Sequence, residues 1–362
     1  MASLLAACGP AAPPAPALRI AELPPLPPEE ATSTSPATPA APVSAGPLAR
    51  DEALDRVARA LAGRDDAPGL AEHARAIDEH LGAYETRLGA ALGAWATTEL
   101  GDGTGATVLY PFSGPDFLTA HRLFPRAARY VLVSRERAGR VGRGAPRGER
   151  LAQQRRALEG LLRRGFFLTR DMSRDFPDGV ADTLAAQAAL EGLRVDAEAR
   201  TRVSSSGALV DDPDGDSLRL WLRRPGGGEV ELDFVSTDLS DPWLRRAAGV
   251  SAWLASVAGD RALLKAASHL LQQPGFAVLR DALVARARLV VQDETGVDYA
   301  ALAPSFDVAL YGAFTRVNPL FAGTPQRALA RAFRERDDVR PLPFSLGYRK
   351  PSGSCLLVAR RR

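Results

Sequence analysis

The sequence predicts an α/β fold around a mixed sheet, and three observations carry that prediction. A short apolar segment, residues 107–112, runs into the turn Ser113-Gly114-Pro115-Asp116, a helical stretch at 117–123, and a second apolar segment at 129–134 closed by Glu136. Long stretches on either side place apolar residues at helical spacing. Further along, three segments of strand-like composition are separated by clusters of Asp, Pro and Gly. The 362 residues, 46% hydrophobic, suffice for a large buried core and exclude a wholly disordered chain. Only two cysteines occur, Cys8 and Cys355, which excludes a disulfide-rich scaffold. No apolar run approaches the roughly 20 residues of a membrane-spanning helix.

Taken in order, residues 9–47 are rich in Pro and Ala and poor in charge, a composition that buries no core and reads as a disordered tether. Residues 48–362 form one predicted α/β domain, opening with amphipathic helices over 48–100, where Leu54, Val57, Ala58 and Leu61 share a face. Strand, glycine turn, helix, strand and acidic residue over 107–136 are the opening of a doubly wound, Rossmann-like sheet. Helical patterns at 148–164 and 178–196 fit crossovers. Segments 202–210, 217–224 and 229–237 read as an antiparallel region whose turns are 211–216 and 225–228. Helices are expected at 241–258, 261–271 and 274–287, then a strand at 289–293. A terminal hairpin is expected from 343–348 and 354–360, which makes Cys355 a buried thiol.

The charge balance bears on partners. Arginine supplies nearly all the positive charge, lysine occurring only at Lys265 and Lys350, and acidic residues offset it to a net charge of +3. Nucleic-acid binders concentrate basic charge on one face and interleave aromatic residues. Here the most basic stretch, 135–156, carries Glu136, Glu149 and many glycines. It reads as a solvated loop entering a helix, and no nucleic-acid partner is expected.

Near the amino terminus, Leu5-Ala6-Ala7-Cys8 resembles a bacterial lipobox, with residues 1–8 as a truncated signal segment. The resemblance implies cleavage before Cys8, acylation of that cysteine, export and a lipid-anchored place in the cell envelope. Each buried methylene adds about 0.8 kcal/mol, so several acyl chains hold far better than one. Further along, residues 110–117 (Tyr110 through Phe117), Leu123 to Pro125 and Tyr130 to Val133 resemble an uncharacterised family of bacterial exported, lipoprotein-type proteins. Matches at 264–268, 291–296, 310–312 and 342–348 extend that likeness over about residues 104–361. It implies export and a single folded unit and brings no activity. A second likeness is to class I methyltransferases, in which Gly114 and Glu136 would approach S-adenosylmethionine and its ribose. Pro115 removes a backbone N–H that such a turn uses, and no cofactor is expected on the leading reading.

The candidate ligand-binding residues are Ser113, Gly114, Asp116 and Glu136, at strand ends where open α/β sheets bind ligands. Asp116, Lys265 and Asp293 are the candidates for chemistry. Ser113 and Asp116 also match a capping box, in which Ser113 caps the helix that follows. As a nucleophile Ser113 lacks the Gly-x-Ser-x-Gly setting, and His121 lies eight residues on, leaving His269 as a base. Asp293 and Glu294 follow an apolar run and could form an acidic crevice with Asp116. Lys265 and His269 are read as i, i+4 neighbours on one helix, able to share an anion, against the plainer reading of a snorkelling lysine. No metal is expected. His73 and His80 stand seven residues apart on one helix, too far for one ion, and Asp212, Asp214 and Asp216 lack the glycine and glutamate of a calcium loop. The leading expectation is a membrane-tethered exported protein that binds an envelope protein or a small molecule. The alternative is an enzyme on the same scaffold, either a methyltransferase-like transferase or a hydrolase.

Overall fold

The computed structural model describes residues 50–101, 103–145, 147–168, 171–315, 326–348 and 353–362, and these form one compact unit. Cys8, the segment read above as a lipobox and the one read as a tether lie outside the described residues. The chain begins with helices α1 (Glu52–Leu61), α2 (Ala71–Tyr84) and α3 (Ala90–Glu99), followed by β1 (Thr107–Pro111), α4 (Phe117–Leu123) and β2 (Arg129–Ser134). Helices α5 (Arg147–Arg164), α6 (Met172–Asp175) and α7 (Ala181–Leu190) lead to β3 (Arg194–Val203), β4 (Leu209–Asp211), β5 (Ser217–Arg223) and β6 (Glu229–Ser236). The remainder is α8 (Asp241–Arg246), α9 (Ala248–Val257), β7 (Arg261–Leu264), α10 (Ala277–Arg286), β8 (Leu289–Gln292), α11 (Tyr299–Leu302), β9 (Phe306–Gly312), α12 (Arg327–Glu335) and β10 (Cys355–Arg361).

The ten strands of the described residues join one sheet in the order β4-β3-β5-β6-β2-β1-β7-β8-β10-β9. The block β6-β2-β1-β7-β8 is parallel, whereas β3, β4 and β5 extend one end antiparallel and β10 runs antiparallel between β8 and β9. Alternating side chains feed two cores. Val108, Tyr110, Leu132, Leu220 and Leu232 pack under α1 to α5 and α7, while Leu109, Val131, Val290, Leu310 and Leu357 pack under α8 to α10 and α12. The predicted α/β class with its mixed sheet is the observed one. Strands β1, β2, β7 and β8 carry apolar residues on both faces because helices cover both, whereas one face of β6 holds Glu231 and Asp233, paired with Arg129 and Arg219.

Four local expectations are corrected. Residues 261–264 form a central strand rather than the start of a helix, because the three-residue apolar run Ala262–Leu264 has no periodicity of its own and its parallel neighbours decide its conformation. The segment 211–216 is not a hairpin turn. It carries the chain across the end of β3, since Thr201 pairs with Asp211 on one side and Ser217 on the other. The C-terminal strand β10 pairs with β8 and with the unexpected β9, so 343–348 is no hairpin arm. Finally, α4 is capped by Asp116, whose carboxylate accepts from the Thr119 N–H, and not by Ser113.

Candidate functional site

The strand order reverses between β1 and β7: from β1 the chain builds outward through β2 and β6, then returns to add β7 and β8 on the other side. Ligands of open α/β sheets bind at such a reversal, beyond the carboxyl ends of the strands. Strands β1 and β7 pair only at Val108–Arg261 and Leu109–Ala262, and both continue beyond that pairing. Phe112, just after β1, and Ala266, just after β7, are the two non-glycine residues with positive φ among the described residues, at 57° and 54°. Such strain concentrates where a fold holds a site in shape.

The chain's own side chains fill this opening. Lys265, 1% exposed, donates to Asp116 Oδ2 at 2.7 Å, to Thr119 Oγ1 at 3.0 Å and to the Gly165 carbonyl. All three ammonium protons are therefore used. Asp116 Oδ2 also accepts from Tyr110 Oη at 3.0 Å, and burial together with that carboxylate pushes the Tyr110 phenol well above its usual range. Lys265 thus neither snorkels nor shares a helix with His269: it ends a strand in extended conformation, and His269 Nδ1 faces the Ala266 carbonyl at 3.4 Å. Beside this pair, Asp293 accepts from the Thr295 N–H and hydroxyl at 2.8 and 2.5 Å and from the Ala266 N–H at 3.3 Å. Burial nevertheless pushes its carboxyl up to about 6. A roof lies over the cluster. A Cβ on Gly114 would meet Met172 at 2.8 Å, one on Gly347 would meet Asp293 Oδ2 at 2.1 Å, and Phe166 stacks edge-on against Tyr348.

The neighbouring strand ends, β1 and β2, differ. Ser113 Oγ, Ser134 Oγ and Glu136 Oε2 are buried, and none has a hydrogen-bond partner among the described residues. The Ser113 N–H donates to the Val133 carbonyl, which sets Ser113 beside Ser134. Two hydroxyls and a carboxylate oxygen, buried and unused, are a costly arrangement unless something polar completes them. His121 has no part in it, being held at 2.8 Å from Glu191, which also binds Arg122. Of the predicted residues, Asp116 and Lys265 meet directly, Asp293 lies next to them through Ala266, and Ser113 and Glu136 belong to the β1–β2 side. Gly114 adopts φ +54° under Met172. Ser134, Tyr110 and Thr119 are the residues that sequence reasoning missed. The available signal was a lone serine ending an otherwise apolar strand.

Among the described residues no three His, Cys, Asp or Glu side chains are grouped to hold a metal ion, and no helix is long and apolar enough to cross a membrane. Compared with protein-family models, curated proteins and solved structures, the chain finds no match.

Proposed function

We propose that this chain is an exported binding module, tethered to the cell-envelope membrane through lipid on Cys8, that holds a small hydroxyl-bearing molecule at the carboxyl ends of β1 and β2. The observation that carries the binding is the trio of buried, unpartnered oxygens on Ser113, Ser134 and Glu136. A carboxylate accepts from a ligand hydroxyl while the serines either donate or accept, so a polyol or sugar-like group completes all three. The filled opening between β1 and β7 favours binding over catalysis, because Asp116 and Lys265 neutralise each other out of reach of solvent. The tether rests on the sequence around Cys8.

A second reading, a methyltransferase-like transferase, draws support from the strand order. An antiparallel strand set beside the last one of a doubly wound sheet resembles class I methyltransferases, and Glu136 stands 22 residues beyond Gly114, near the spacing of a ribose-binding acid. Met172 over Gly114 and Lys265 in the opening weigh against it.

The test has two arms. Intact mass and membrane fractionation of native protein should show a lipid increment that disappears in Cys8→Ala, and an unmodified soluble chain would remove the tether. Ligand-observed NMR with adenosine, S-adenosylhomocysteine and N-acetylglucosamine should detect a binder whose affinity falls about tenfold in Glu136→Gln. Preference for S-adenosylhomocysteine with the same loss selects the second reading. If none of the probes binds, or the variant binds as well as the parent, the site assignment fails.

A further inference from the structure

A separate cleft lies between the loop that follows β2 and the turn before α7, lined among others by Arg140, Arg143, Arg150, Gln154, Asp178 and Asp182. It uses none of the residues assigned above. Two backbone hydrogen bonds tie its walls together: the Val180 N–H donates to the Arg137 carbonyl at 3.0 Å, and the Ala181 N–H to the Ala138 carbonyl at 2.8 Å.

The donors and acceptors of the cleft do not balance. Its carboxylates are engaged: Asp175 with Arg174 at 2.9 Å, Asp178 with the Ala145 N–H at 3.0 Å, and Asp182 with the Gly142 N–H at 2.7 Å. Gln154 is 3% exposed, and its amide oxygen accepts from Thr183 Oγ1 at 2.9 Å. In that orientation the amide Nε2 is buried and has no partner among the described residues. Arg150 donates one guanidinium nitrogen to the Gly142 carbonyl, while its Nε is also buried and unpartnered. Arg143 stands exposed at the rim, and Arg140 has a 3.4 Å contact with the Pro213 carbonyl, both lying in the field of the Glu198 carboxylate. The enclosed space, about 20 Å³, admits one oxygen atom.

We propose that this cleft binds a phosphate- or sulfate-type oxyanion, one oxygen entering toward Gln154 and Arg150 and the others facing Arg140 and Arg143. Buried N–H groups without acceptors call for an acceptor-only ligand, and guanidinium groups suit tetrahedral oxyanions through paired hydrogen bonds. Free phosphate and the headgroup of an anionic lipid share this chemistry.

Calorimetry on the full-length chain carrying Cys8→Ala, with sodium sulfate and then inorganic phosphate, tests it. Sulfate keeps one charge state over the working range, so its binding reports the protein alone. Binding should weaken about tenfold in Gln154→Leu and in Arg143→Gln, whose surface position leaves folding intact. It should tighten severalfold in Asp182→Asn, which removes a negative charge and keeps an oxygen for Gly142. Flotation with phosphatidylglycerol vesicles separates the sources. Vesicle binding that Arg143→Gln abolishes assigns a headgroup, and ion binding without vesicle binding assigns a soluble phosphate. Absence of millimolar sulfate binding, or equal affinity in all the variants, would overturn the proposal and leave the cleft to a structural water.

Discussion

Lys265 and Asp116 show what a buried ion pair demands of its surroundings. The ammonium has three acceptors and the carboxylate has Tyr110 and the Thr119 N–H besides, so the desolvation of both charges is met by hydrogen bonds. Removing one partner strands the other: Lys265→Met should cost about 3–5 kcal/mol in urea unfolding. Adding Asp116→Asn, which keeps the cap and the Tyr110 bond, should recover more than half of that loss. Equal stability of the single and double variants would refute the pairing. Asp293 makes a prediction in pH. Its folded-state carboxyl, raised from 3.8 to about 6 by burial, binds a proton that the unfolded chain has released. Its contribution is therefore fully present below about pH 4 and is lost as pH rises through 6, by up to about 3 kcal/mol. In Asp293→Asn the fall in stability between pH 4 and 6 should be shallower than in the parent, and parallel profiles would contradict the assignment.

Among the elements, the loops after β2 and before α7 are held by two glycines. Gly179 has φ +101°, and a Cβ there would stand 2.5 Å from the Gly139 nitrogen and 2.7 Å from its Cα. The two backbones cross in contact at a point where no side chain fits. Gly179→Ala should destabilise the protein by more than about 2 kcal/mol and weaken sulfate binding with it, as denaturation and calorimetry on the same sample would report. The legibility of elements followed their locality. Strands β1, β2 and β8 and helix α5 were readable because apolar run, turn chemistry and helical period all lie within a few residues, whereas the helical pattern at 178–196 holds for α7 but overruns into the start of β3. Strand β7 was not, since Arg261–Leu264 is followed by Lys265-Ala266-Ala267-Ser268, which continues a helical pattern. Its pairing partners lie more than 20 residues away at the nearest, so nothing local announces it. The same holds for β9, whose pairing depends on β10.

In the whole molecule, one sheet separates two cores, and every parallel strand contributes to both. Unfolding either core exposes the strands that wall the other, so the described unit should lose both together. Trp95 reports on the core under α1 to α5 and α7, and Trp253 on the opposite one. Fluorescence unfolding of two variants, one keeping only Trp95 and one only Trp253 with the other three of the four tryptophans replaced by Phe, each compared with its own circular dichroism transition, should show the fluorescence and dichroism midpoints coinciding within each variant. Separate midpoints would mean that the layers unfold independently.

The order of amino acids is enough for the α/β class, the opening β1-α4-β2 unit, the absence of a spanning helix among the described segments and the placement of Ser113, Asp116 and Glu136 at strand ends. Each of these follows from local patterning and from composition. Tertiary structure alone decided the position of β7 beside β1, the insertion of β10, the pairing of Lys265 with Asp116 across 149 residues of chain, and which oxygens at the strand ends remain without partners. Those outcomes depend on burial and on hydrogen bonds between distant segments, which a residue's neighbours in sequence do not encode.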